Sequence, residues 1–332
     1  MIEIPPSGES ATGPDLLQTT GEARYKIDFN RSVKGGMGAV FKGFDRRLNL
    51  PVVAKTYRDD YRDVRPDAPE LLVAEAQITA NLHHKNLPTI YDVQIGPDGK
   101  PYFVMDDLTE KGYENLGKVK CTDLDVEDIS VITKELTEVL TYLHQQGIHH
   151  RDLKVKNIFY RKDAPNGIHV KLIDFGISNA IFPFNPEEQV VRGSPEYMSP
   201  EALRNKQLTE QSDIYTLSLI IQNLISNRSV QSGLQLSEIF ENNSKNIQYK
   251  VTETSNPTIY TRLREWHIHP DPVIEQLNIA MNNNPTNRQP SLMKFGENMI
   301  LVLKNQSVQS DKKKANFYLS PRNLLRRFLS KQ

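Results

Sequence analysis

Cysteine is nearly absent: Cys121 is the single thiol in 332 residues, so no internal disulfide can form, which fits a reducing compartment. An excess of either charge is also missing. Lys plus Arg and Asp plus Glu both total 41, so no global field draws the chain to nucleic acid or to a membrane surface. The longest apolar runs fall well short of a membrane span. The acidic N-terminus, rich in Pro, Gly, Ser and Thr, lacks the basic start and apolar core of a secretory signal. No internal repeat is present. The expectation is a soluble, cytoplasmic protein with one large core or two lobes.

Along the chain, residues 1–22 have few large apolar groups and several breakers, and read as a flexible arm. From Tyr25 the pattern is β-like: "YKIDFNRSV", "AVFKGFD" and "LPVVAKTY" predict three antiparallel strands joined by short turns. "APELLVAEAQITANLHH" has helical spacing with Pro69 near its start, and "TIYDVQIGPDGKPYFVMDDL" predicts two more strands around a Gly-Pro-Asp-Gly turn. The remainder is mainly helical. "DVEDISVITKELTEVLTYLHQQG" places Ile129, Ile132, Leu136, Val139, Leu140 and Leu143 on one face and ends at Gly147. "SDIYTLSLIIQNLIS" is apolar on most sides, as suits a buried helix.

Phosphoryl transfer from a nucleotide asks for backbone amides over the phosphates, a cation on them, carboxylates for magnesium and a base near the incoming hydroxyl. "HRDLKVKN", His150 to Asn157, matches H-R-D-L-x-x-x-N without a gap, and "DFG", Asp174 to Gly176, follows after a strand pair joined by Pro165-Asn166-Gly167. With "KGGMGAVFKG", "PVVAK", "GSPEYMSPE" and "SDIY" in the same order, the chain resembles the eukaryotic-type (Hanks-type) serine/threonine protein kinases, most closely those also found in bacteria. The resemblance covers roughly residues 25 to 300. It implies an α+β, bilobal fold: an antiparallel sheet lobe with one helix, about 23–105, and a larger helical lobe, about 109–302, between the arm and a tail at 303–332.

The resemblance also implies roles. Lys55 holds the α- and β-phosphates of ATP and pairs with Glu75; Asp152 is the base for the substrate hydroxyl; Lys154 neutralises the transferring group; Asn157 and Asp174 ligate Mg²⁺ or Mn²⁺. Over the nucleotide it places Val33, Gly35, Gly36, Gly38, Val40 and Val53, with Met105 as gatekeeper, Phe159 as floor and backbone groups near Asp106 and Leu108 at the base edge. Val53 stands where the family usually has alanine, which narrows the pocket. Phe175 and Gly176 complete the DFG motif; Glu201 and Arg288 form a structural ion pair; Asp213 anchors the catalytic loop; His150 packs beneath it and His149 has no chemical role. Ser194 replaces a threonine that bonds the catalytic aspartate and lysine, and Lys two places after Asp152 goes with serine/threonine specificity.

Arg151 is a potential phosphate binder for the activation segment, yet residues 179–193 contain no Ser, Thr or Tyr. Val190 falls about where the phosphothreonine belongs. Glu187 and Glu188, or the apolar "IFPF", are the expected substitutes. From Lys304 onward the chain is basic, and Leu324, Leu325, Phe328 and Leu329 share one helical face, which suits docking on protein or, less well, on an anionic membrane. No nucleic-acid partner is expected. Two alternatives stay open on sequence: a kinase-fold pseudoenzyme that binds partners, for which the altered glycine loop and missing phosphosite speak, and a small-molecule kinase, against which the "SPE" segment speaks. Val33, where the family has its first glycine, stiffens the entry of the loop without blocking phosphate. Val33→Gly should therefore change ATP affinity by only a few-fold in a calorimetric titration; a larger change would make Val33 an inactivating feature.

Overall fold

The computed structural model describes residues 23–34, 38–64, 66–163, 167–174, 194–204, 208–228 and 234–304. The N-terminal arm, Gly35 and Gly36, the Phe175 to Gly193 stretch with Gly176, Glu187, Glu188 and Val190, and the tail from residue 305 lie outside them.

The alternating stretches of the first third pair as antiparallel strands β1 (Tyr25–Lys34), β2 (Gly38–Asp45), β3 (Leu50–Tyr57), β4 (Ile90–Ile95) and β5 (Pro101–Asp106), in the spatial order β1-β2-β3-β5-β4. β3 and β5 are central, and period two sorts their side chains onto two faces. Val53, Tyr57, Phe103 and Met105 pack toward a helix, whereas Val52, Ala54, Tyr102 and Val104 pack with Tyr25 on the other side. The register opposes Val40 to Lys55, Lys55 to Phe103 and Val53 to Met105. Lys55 thus arrives on the inner face with the apolar residues of that face around it.

That helix is α2 (Ala68–Ala80), entered through Pro69 and closed at Asn81, whose Nδ2 donates to the Gln77 carbonyl at 2.8 Å. It ends earlier than the apolar spacing of "NLHH" suggests, because the Asn81 side chain takes up a carbonyl of the last turn. A short helix α1 (Asp59–Val64) precedes it, so the smaller lobe carries two helices where one is expected from sequence. Asp59 and Asp60 in the first turn of α1 suit the helix dipole.

In the larger lobe a capping box of Asp125 and Asp128 starts α3 (Val126–Gln145), and all six residues expected on its buried face are fully covered. After α4 (Pro200–Leu203), α5 (Glu210–Ser226) is buried on nearly every side and forms the centre of the lobe. Around it lie α6 (Leu236–Ser244), α7 (Pro257–Glu265), α8 (Pro270–Ala280) and α9 (Leu292–Lys304). α9 runs on to Lys304, which bonds Glu127 at 2.8 Å, with Leu303 buried beneath. A small sheet of β6 (Glu114–Asn115), β7 (Ile158–Asp163) and β8 (Gly167–Leu172) carries the strand pair expected around residues 165–167. Among the described residues no helix is long and apolar enough to cross a membrane.

The two lobes are stapled behind the cleft by Asn86, whose Nδ2 donates to Glu135 of α3 at 2.6 Å and to the Val170 carbonyl of β8 at 2.8 Å. α9 approaches α3 so closely that a Cβ at Gly296 would lie 2.5 Å from Thr137 Oγ1 and 2.7 Å from its Cγ2. Overpacking of this kind costs about 1–3 kcal/mol, against about 1 kcal/mol gained in helix propensity. Gly296→Ala should lower the urea midpoint, and adding Thr137→Ala should recover part of the loss; a single variant more stable than the parent would contradict the close approach.

Candidate active site

β3 delivers Lys55 to a point where its Nζ meets Glu75 Oε1 of α2 at 2.7 Å and Asp174 Oδ1, just past β8, at 2.8 Å. One ammonium serves two carboxylates. Burial pushes the Lys55 pKa down, but Asp174 and Glu75 outweigh it and the pKa is raised. At Glu75 burial wins and the pKa is raised, while at Asp174 Lys55 outweighs burial and the pKa is lowered. Glu75 sits on α2 only because Ala68, Leu72 and Ala76 bury the face of that helix against the sheet.

Below this group the loop after α3 holds Asp152. Lys154 Nζ donates to Asp152 Oδ2 at 2.6 Å and to Ser194 Oγ at 3.0 Å, and Ser194 Oγ donates to Asp152 Oδ1 at 3.1 Å. Asn157 Nδ2 donates to the Asp152 carbonyl at 2.9 Å, and the Asn157 carbonyl accepts from Ile173 N at 2.9 Å, beside Asp174. A continuous set of bonds therefore joins Lys55 to Asp152 through Asp174, Ile173 and Asn157. Arg151 and Asp174 both hold left-handed backbone, with φ of 63° and 56°. Strain of that sort, about 1–3 kcal/mol each, persists where the surroundings fix it and gathers at functional sites.

The loop is footed on the large lobe. His144 Nε2 meets Asp213 Oδ2 of α5 at 2.6 Å, and the His149 ring packs on His144 with centroids 4.6 Å apart. Burial pushes the Asp213 carboxyl up, but His144 outweighs it and the pKa is lowered. Ligands of one tetrahedral zinc sit roughly 3.3 Å apart given bonds near 2 Å, so the 2.6 Å pair is a hydrogen bond and the trio an anchor. His150 is fully buried, and burial lowers the pKa of both His149 and His150, which favours the neutral imidazole at each. Glu201 takes Arg288 in a bidentate pair at 2.7 and 2.9 Å and accepts from Ser212 Oγ at 2.7 Å, which fixes α4 to α5 and to the segment before α9.

Of the residues expected around the base, Val40, Val53 and Met105 fall in one apolar cluster, while Leu108 and Phe159 stand outside it, on the hinge and on β7. Val33 pairs with Val40 across β1 and β2. Gly38 has a local reason to lack a side chain: a Cβ there would lie 2.9 Å from the Thr56 carbonyl on β3. The hinge holds what the sequence reading missed. Asp106 accepts from Thr89 N at 2.9 Å and Tyr91 Oη at 2.7 Å and pairs with Lys111; Asp107 pairs with Lys42 of β2 at 2.6 Å. His144, Lys42 and Asp107 lack a distinguishing local pattern, since each finds its partner far along the chain. Gly35, Gly36, Phe175 and Gly176 lie outside the described residues.

A smaller sheet lobe over a helical lobe, with a lysine, a glutamate and an aspartate converging between them, defines a protein-kinase-type fold. The solved structure titled "Crystal structure of Rad53 1-466 in complex with AMP-PNP" shares it, with TM-score 0.62 and 18% identity over 84% of this chain and 66% of that one. The family model described as protein kinase domain matches residues 33–299, and the chain belongs to that family. Relatives include serine/threonine-protein kinase pakE of Dictyostelium discoideum, 28% identical over 61% of this chain and 21% of that protein. Serine/threonine-protein kinase Pkn1 of Myxococcus xanthus is 29% identical over 59% and 28%, and PknL of Mycobacterium tuberculosis is 26% identical over 68% and 55%. The chain thus spans between a fifth and about a half of the length of these relatives.

Burial pushes the Glu201 carboxyl up, yet Arg288 and Ser212 hold its pKa below the usual glutamate range. A depressed folded pKa contributes stability above the unfolded value of about 4.3, lost as pH falls through the folded one. Arg288→Met should cost about 3–5 kcal/mol at neutral pH, because it leaves a buried carboxylate alone. Its deficit should shrink as pH falls from neutral, because without Arg288 burial leaves the Glu201 pKa raised and that carboxylate protonates in the variant before it does in the parent; a pH-independent deficit in denaturant titrations would place the loss elsewhere.

Proposed function

We propose that the chain is an ATP-dependent serine/threonine protein kinase that transfers the γ-phosphoryl group to a protein hydroxyl. The carrying observation is the bonded path from Lys55 through Asp174 and Asn157 to Asp152, because it sets the phosphate cation and the base in one frame. The relatives named as serine/threonine-protein kinases and the AMP-PNP held by the Rad53 structure support the same reading.

Adenine lies between Val40 and Val53 above and Phe159 below, with Met105 behind it. Asp106 N is engaged by the Thr89 carbonyl and the Leu108 carbonyl by Tyr113 N, so the base edge falls to the Asp106 carbonyl and Leu108 N. Lys55, held by Glu75, fixes the α- and β-phosphates. Asn157 and Asp174 fit magnesium or manganese: Asn157 Nδ2 is committed to Asp152, which leaves its Oδ1 as ligand, and both residues offer hard oxygen. The ion, when bound, neutralises charge on the phosphates. Asp152 accepts the hydrogen bond of the substrate hydroxyl, orients it in line and receives its proton as the new P–O bond forms and the bond to the β-phosphate oxygen breaks. Lys154 neutralises the transferring group. Ser194 holds both side chains in place, which suits the short reach of a serine or threonine hydroxyl.

Asp152→Asn keeps size and polarity but loses the base. In assays with Mg²⁺ and labelled ATP, it should lower transfer to generic proteins by about 10²–10⁴-fold while ATP affinity stays within a few-fold. Undiminished transfer by the variant would take the role of base away from Asp152, whereas no transfer and no ATP binding by the parent would overturn the assignment in favour of a partner-binding pseudoenzyme.

A further inference from the structure

Among the described residues, every lysine from Lys42 to Lys162 lies within ion-pair distance of a carboxylate except Lys118, Lys120 and Lys156. All three are exposed, and the structure brings the turn that ends at Lys118 against the turn that holds Lys156, with Lys120 two residues further along the chain. Asn115 Nδ2 donates to the Lys156 carbonyl at 2.6 Å and Asn115 Oδ1 accepts from Gly117 N at 3.0 Å. The tight turn Leu116–Lys118 is thereby tied to the turn Val155–Asn157 that ends the catalytic loop. A Cβ at Gly117 would lie 3.1 Å from Lys156 Cγ, so the missing side chain makes the space in which Lys156 lies. Lys156 is four residues beyond Asp152 and adjoins Asn157, which holds the Asp152 carbonyl.

The nearest acidic residues in sequence do not neutralise this patch. Glu110 stands 3.7 Å from Lys42, Asp123 accepts from Thr122 Oγ1 at 3.2 Å, and Glu114 is exposed on β6; none lies within 4.0 Å of the three ammonium groups. Lys154, by contrast, is spent on Asp152 and Ser194. With charges balanced over the whole chain, the positive charge of these lysines is a local feature and not part of a global excess.

We propose that Lys118, Lys120 and Lys156 select protein substrates that carry acidic side chains beside the phosphoacceptor hydroxyl. The proposal rests on the kinase reading above and adds the substrate class. An Asp or Glu near the acceptor meets positive charge within a Debye length of about 8 Å, whereas a Lys or Arg there is repelled. Discrimination comes from rejection as much as from attraction. Each exposed charge contributes a few-fold, and three acting on one segment give about ten-fold.

The test is a library of serine peptides with Asp, Ala or Lys at each flanking position, phosphorylated by the full chain with Mg²⁺ and ATP. The parent should favour acidic over basic peptides by about ten-fold in kcat/KM, with the preference fading as salt rises. Lys156→Glu, and the triple variant with Lys118→Glu and Lys120→Glu, should lose or invert the preference. Their kcat on the all-Ala peptide and their KM for ATP should stay within about two-fold of the parent, since exposed charges at this distance act on the peptide alone. Equal transfer to all peptides, a basic preference in the parent, or an unchanged preference in both variants would overturn the proposal and leave the kinase reading standing. Transfer to no peptide at all would remove both.

Discussion

The position of the Lys55 ammonium between Glu75 and Asp174 is the constraint on which the rest of the molecule turns. It joins three separately built parts: the central strand of the small sheet, helix α2 and the segment that follows β8. Each part has its own reason to be where it is. Period two aims Lys55 inward, the apolar face of α2 turns Glu75 toward it, and β8 is held behind by Asn86. A single positive charge shared by two carboxylates in a half-buried cleft is satisfied only while all three parts are in place, so this contact reports the closure of the site.

The larger lobe supplies rigidity of another kind. α5 is buried almost entirely, and its polar residues reach the elements packed around it: Asp213 meets His144 at the end of α3, Ser212 meets Glu201 of α4, and Thr216 meets the Tyr197 carbonyl at 2.9 Å. Buried polar groups in a core are costly unless paired. Here their partners are the end of α3, on which the His149 ring of the following loop packs, and the stretch from Tyr197 to Glu201, so the same bonds that satisfy the core also fix the elements that flank the site. The left-handed backbone at Arg151 and Asp174 lies at the two ends of the site, next to Asp152 and at the partner of Lys55.

Much of this was legible in the residues alone. Alternation over β1 to β3 and the six-residue apolar stripe of α3 follow from local periodicity, and the motifs, through the kinase resemblance, point to Lys55, Glu75, Asp152, Asn157 and Asp174. The short helix α1 was not legible, because six residues, fewer than two turns, are too few for an apolar period to show. Lys42 with Asp107, and His144 with Asp213, were equally silent, because partners 65 and 69 residues apart leave no mark in a local window.

By itself the sequence determined which elements form, which side chains are inward, and which residue types are available for phosphate, metal and proton; these depend on period, turn chemistry and ligand preference. Only the tertiary structure decided that Gly38 is bare because the Thr56 carbonyl lies behind it and that His149 packs on His144. It alone showed that the turn ending at Lys118 meets the turn that holds Lys156, four residues beyond Asp152. Charge and steric exclusion act through space, and what meets through space is fixed by how strands, helices and turns pack, not by their order along the chain.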